Sequence, residues 1–107
     1  MISFIESADY IRRNQGKLCD YVYEGMSYGM IENLSECQKA ASKLKLQFYS
    51  ERDSEYYQGG CYLQWDEVRK AVWFNRNLKE KEDYDEELFS ICGKGKYGKH
   101  FIKIFEH

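Results

Sequence analysis

The chain of 107 residues has no proline, only two histidines and no apolar run longer than a few residues. Runs that short exclude a membrane-spanning helix, which needs about 20 predominantly apolar residues in succession. No Cys-x2-Cys pair occurs, and a structural zinc site normally draws its thiolates from such close pairs. The nucleophile-elbow, zinc-protease and dinucleotide-binding fingerprints are all missing. Both histidines, His100 and His107, stand near the C-terminal end, so a cysteine–histidine nucleophile would need the tail to fold back onto a thiol. Gly93-Lys94-Gly95-Lys96 lacks the spacing with which a glycine-rich loop cradles phosphates. Neither sign of charge dominates: 16 Lys and Arg against 18 Asp and Glu give a formal charge of −2. That removes the basic field expected of a general nucleic-acid binder. The expectation is therefore no catalytic residue, no metal and no cofactor, with nucleic acid an unlikely partner.

Hydrophobic residues make up 43% and charged residues 32%. This composition excludes disorder over most of the length, and the length fits a single domain over 1–107. The ten tyrosines are unusual for this size. They suit half-wet positions at an interface, although they also serve a small core with their hydroxyls turned outward. Cys19, Cys37, Cys61 and Cys92 are even in number and widely spaced, which favours two disulfides. Four cysteines allow three pairings and the sequence does not choose among them. The preferred one is Cys37–Cys61 enclosed by Cys19–Cys92, the outer bridge contributing roughly 4 kcal/mol in the loop-entropy account. Disulfides call for an oxidising compartment, yet Met1 to Tyr10 carries Glu6 and Asp9 and is no signal peptide. The expected location is extracytoplasmic (secreted, lumenal or surface), with the leader absent from this chain. The alternative is cytoplasmic, with four reduced thiols.

Local patterns predict an α+β fold: a small antiparallel sheet packed by one or two helices and stapled by two disulfides. Ser3-Phe4-Ile5-Glu6 fits a capping box, and the spacing of Phe4, Ile5, Ala8 and Ile11 predicts an N-terminal helix within 1–16. A core over 17–92 follows. Leu18 to Tyr23 reads as a short strand, with Gly25 and Gly29 marking a loop. A helix is expected to start at Ser35, with Cys37, Ala40, Ala41 and Leu44 on one face. Leu46 to Tyr49 enters a polar loop over Ser50 to Gln58. Gly59-Gly60 opens a hairpin with Cys61, Leu63 and Trp65 on one side and Tyr62 and Gln64 on the other; the return strand runs over Val68 to Phe74. Asn75 to Glu87 is a charged loop, Leu88 to Cys92 a last strand, and 93–107 a basic, aromatic tail with Lys94, Lys96, Tyr97, Lys99 and Lys103. Asp83, Asp85, Glu86 and Glu87 cluster oxygen ligands without the spacing of a calcium loop. Asn33-Leu34-Ser35 is a glycosylation sequon.

Ile31, Glu36-Cys37-Gln38-Lys39-Ala40-Ala41-Ser42-Lys43-Leu44, Gly60-Cys61-Tyr62, Val72-Trp73-Phe74-Asn75 and Ile91-Cys92 occur in that order. Together they resemble a small four-cysteine module of secreted and surface proteins of marine algae, other protists and their viruses. The resemblance spans Cys19 to Cys92. It departs where Gln58-Gly59 stands in place of the proline often found before Gly-Cys. It implies a disulfide-stapled, non-catalytic module and carries over no ligand. The functional expectation is a non-enzymatic protein-binding or structural module, such as a surface domain or an accessory subunit of a larger assembly. Its contact residues would be Tyr23, Tyr28, Tyr56, Tyr57, Phe101 and Phe105. The alternative is a cytosolic acidic inhibitor or adaptor of phage or viral type, suggested by the acids between Lys79 and Glu87.

Overall fold

The computed structural model describes residues 9–13, 19, 21–23, 25–65, 67–79 and 88–95. Among these residues seven strands and one helix follow in the order β1 (Tyr10–Arg12), β2 (Tyr21–Tyr23), β3 (Met26–Met30), α1 (Leu34–Lys43), β4 (Phe48–Arg52), β5 (Gly60–Trp65), β6 (Lys70–Asn75) and β7 (Leu88–Lys94). Six strands form a continuous path in the order β2-β3-β7-β5-β6-β4, and β1 pairs with β7 off that path. The chain is thus sheet-dominated, with a single described helix. Where helical spacing predicted a helix reaching Ile11, Tyr10 to Arg12 instead pair with Gly93 to Ile91. Three consecutive positions, the first two both buried, are too few to separate the two periods, and pairing with β7 decides the outcome.

β7 joins the two halves of the sheet. Its first three residues pair with β5. Its second half pairs with β3 on one edge and β1 on the other. Gly29 faces Gly93 across the β3–β7 ladder, so the glycine expected in a loop lies inside a strand. Gly25, with φ of 80°, makes the tight turn between β2 and β3, where a left-handed conformation favours glycine.

The helix behaves as its apolar stripe demands. Cys37, Ala40, Ala41 and Leu44 are all buried, and they pack with Tyr10, Ile31, Cys61, Leu63, Val72, Phe74 and Ile91. The two alanines let α1 lie close on the sheet. The cap sits two residues earlier than the Ser35 pattern implied: the Glu36 amide donates to Asn33 Oδ1 at 2.8 Å. Asn33 and Glu36 have the same spacing as Ser35 and Gln38, and the earlier asparagine takes the role.

β5 and β6 form the expected hairpin, with Cys61 opposite Phe74 and Leu63 opposite Val72. The return strand starts at Lys70, however, and Val68 is 91% exposed in the connection. The sheet is mixed rather than purely antiparallel, because β4 runs parallel to β6. β4 and β5 therefore flank β6 on opposite sides, with Arg52 and Gly60 both level with Asn75. Residues 53–59 must cross the end of β6, a gap of two strand spacings or roughly 10 Å. What reads as an exposed polar loop over Ser50 to Gln58 is in fact the end of β4 plus this bridge, and Gln58 is buried.

Two disulfides close the structure, Cys37–Cys61 and Cys19–Cys92. This is the pairing preferred from the sequence. The first ties α1 to β5 and the second ties residue 19 to β7.

An arginine–aromatic face as candidate functional site

Strand alternation gives the sheet two faces. One is covered by α1. The other carries Tyr62 from β5, Ala71, Trp73 and Asn75 from β6, Leu88 and Ser90 from β7, and Arg52 from β4. Tyr62 stands in register between Ser90 and Trp73. Tyr62, Trp73 and Leu88 form a small buried cluster, with Tyr57 packed against it.

Asn75 places Tyr57. Its fully buried amide lies under the bridge. Asn75 Oδ1 accepts from the amides of Ser54 (3.0 Å) and Asn77 (3.2 Å). Its Nδ2 donates to the carbonyls of Ser54 (2.8 Å), Tyr57 (3.2 Å) and Gln58 (3.1 Å). Only a side chain with both donor and acceptor at one end satisfies this set. Gly59 closes the crossing: a Cβ there would stand 2.5 Å from the Leu78 carbonyl carbon.

On this frame aromatic rings and guanidinium groups alternate. The Arg52 guanidinium carbon lies 3.7 Å from the Trp73 ring centre and 4.0 Å from that of Tyr57. Tyr57 stacks on Tyr62 at 6.2 Å with nearly parallel planes. On the other side Tyr49 meets Trp73 at 4.7 Å, and Arg69 lies 5.1 Å above Tyr49. Energetically significant cation–aromatic contacts occur about once per 70–80 residues in ordinary structures. Three lie within this row, and three more join Arg12 and Lys70 to Trp65 and Phe89 elsewhere on the sheet; this row differs in resting on buried donors.

The polar groups beneath the row are donors without acceptors. Tyr62 Oη, Trp73 Nε1 and Ser90 Oγ are buried and have no hydrogen-bond partner among the described residues. Each such group costs about 1–3 kcal/mol in a fold whose whole stability is of order 10 kcal/mol. Burial pushes the Tyr62 hydroxyl well above the usual tyrosine range, while the nearby Arg52 charge pulls it down and Tyr57 adds to the rise. The ion pair in this region is Arg76 with Glu51 at 3.5 Å; Arg52 takes no part in it.

A concavity of about 300 Å³ lies away from this face, between α1 and the end of β7, lined by Asp9, Tyr10, Glu36, Lys39, Lys43 and Lys94. Burial raises the Tyr10 pKa, and Glu36 and Asp9 add to the rise. Three ammonium groups against two carboxylates give it little net field, and among the described residues none of its lining side chains holds a buried donor without a partner. Among the described residues no three His, Cys, Asp or Glu side chains are grouped to hold a metal, and no helix is long and apolar enough to cross a membrane.

Of the contact residues expected from the sequence, Tyr56 is 73% exposed and Tyr57 half-buried in the bridge. Tyr28 is buried against Ile11, Cys19 and Cys92, because the Cys19–Cys92 bridge closes over that part of β3; it presents no surface. Tyr23 lies in β2, its side chain outside the described residues, as are Phe101, Phe105 and the acidic stretch 80–87. Tyr49, Arg52 and Arg69 were not singled out from the sequence. No protein-family model, no characterised protein and no solved structure matches the chain.

Proposed function

We propose that the chain is a non-enzymatic protein-binding module and that its contact surface is the arginine–aromatic face. The observation that carries this reading is the exposed aromatic row: Tyr49, 53% exposed, rests on Trp73 under Arg69, and the bridge that packs Tyr57 against Arg52 also carries Tyr56, 73% exposed. Tyrosine, tryptophan and arginine are the residue types that dominate binding hot spots, since they bury large area with few rotors to freeze. A bridge whose backbone is held to Asn75 by four hydrogen bonds is already ordered, which lowers the entropy lost on association. Two disulfides support an extracytoplasmic location and weigh against the cytosolic adaptor, for which four free thiols are expected.

A photo-crosslinking residue at position 56 in an extract of the source organism tests the reading. One discrete adduct is expected, lost when Arg52→Ala is introduced and absent when the crosslinker stands at Lys39 on the outer side of α1. Equal adducts from both positions, or none from position 56, would sink it.

A further inference from the structure

The face contains an unused charge directly beside unused donors. Arg52 has a ring stacked at each of two contacts and, among the described residues, no carboxylate or carbonyl acceptor. Tyr62 Oη and Trp73 Nε1, both buried on neighbouring strands, also lack acceptors. Stacking engages the faces of a guanidinium and leaves its in-plane N–H groups to make paired hydrogen bonds. A cation and two neutral donors, with no acidic side chain among them, form a set that an oxygen acceptor satisfies, and a negatively charged one also balances the guanidinium. A single guanidinium balances a single negative charge. A planar monoanion also fits an edge flanked by two rings better than a tetrahedral dianion does.

We infer that Arg52, Trp73 and Tyr62 form a carboxylate-binding site, occupied by an acidic side chain or a chain-terminal carboxylate of the bound protein. Arg52 is half-buried and forms the entrance. Tyr57, carried on the bridge rather than on a strand, is the ring that shifts for the carboxylate to reach the hydroxyl of Tyr62. The indole and the hydroxyl at the floor make the site selective, because an anion held by Arg52 alone would leave both donors unpaired. The inference rests on the reading of this face as the contact surface and names the chemistry of the partner it takes.

The indole N–H of Trp73 reports occupancy without any partner. Its nitrogen–proton NMR resonance is told from that of Trp65 by Trp65→Phe. N-acetylglutamate amide offers only a side-chain carboxylate, N-acetylglycine only a terminal one, and inorganic phosphate is the control at equal ionic strength. The expected result is a saturable downfield shift with at least one carboxylate, whichever source it represents, and weaker binding of phosphate. Arg52→Gln is expected to weaken carboxylate binding at least tenfold, and Tyr62→Phe about threefold. Tyr62→Phe serves by itself should Arg52→Gln not fold. No saturable shift with either carboxylate, tighter binding of phosphate, or unchanged binding in Tyr62→Phe overturns the inference. So does an indole resonance already shifted downfield in plain buffer and unmoved by any anion, the signature of a trapped water. A saturable shift without a crosslink from position 56 would refute the protein-binding reading and leave the site standing; the reverse result would refute the site alone.

Discussion

At the scale of single residues, Tyr62 shows how this fold spends stability on its second face. Its ring fills the space between Ser90 and Trp73, but its hydroxyl is buried without a partner. Its pKa in the folded protein is raised, first by burial. A group with a raised folded pKa contributes stability below its unfolded value, near pH 10 for tyrosine, and that stability is lost as pH rises further. Tyr10 shifts in the same direction, so both tyrosines steepen the alkaline limb. Tyr62→Phe removes the hydroxyl and keeps the ring. At pH 8 it should be neutral or slightly stabilising, because no hydrogen bond is lost. At pH 11, one unit above the unfolded value, it should exceed the parent by about a further 1.4 kcal/mol. Urea melts of the two proteins at both pH values decide this; parallel pH dependence would refute it.

At the scale of elements, the connection between β4 and β5 determines what the second face contains. Without Asn75 the amides of Ser54 and Asn77 and the carbonyls of Ser54, Tyr57 and Gln58 lose their shared partner. Some of these groups turn to water once the bridge loosens, so Asn75→Ala should cost about 3 kcal/mol rather than the sum of five lost bonds. The loosening should be local: amide hydrogen exchange is expected to rise at residues 54–58 well before it rises in α1. Uniform loss of protection would show that Asn75 supports the whole sheet instead. This element also marks the limit of what the sequence makes legible. The α1 stripe and the Cys61–Trp65 alternation are visible because periodicity encodes which side is buried. The direction of β4 is not, because alternation is the same for parallel and antiparallel strands. Arg52, Tyr57 and Trp73 meet only through that parallel register and the bridge, so their cluster leaves no mark in sequence spacing. Tyr28 shows the converse error: a tyrosine count suggests surface contacts, but neighbours in space decide which tyrosines stay outside.

At the scale of the molecule, the disulfides decide whether so shallow an architecture persists. Among the described residues one ten-residue helix covers one face of the sheet, and β1 and β2 are only three residues each. The bridges span 73 and 24 positions. In the loop-entropy account these are worth roughly 4.4 and 3.4 kcal/mol at 25 °C. Loop length alone ranks Cys19–Cys92 first, but packing reverses the order. Cys37 and Cys61 lie inside the main core cluster, whereas Cys19 and Cys92 belong to a smaller one. Replacing the inner pair by alanine therefore adds cavities where α1 rests on β5, and a lost buried group in a packed core typically costs more than its transfer energy. The Cys37→Ala/Cys61→Ala protein should melt lower than the Cys19→Ala/Cys92→Ala protein, although its loop is one third as long. The fourfold variant loses about 8 kcal/mol, most of what a domain of this size holds, and should be unfolded at 37 °C. Thermal melts followed by circular dichroism rank the three. A cooperative melt in the fourfold variant would show that the sheet stands without its staples. The opposite order of the two single-bridge variants would show that loop entropy outweighs packing here.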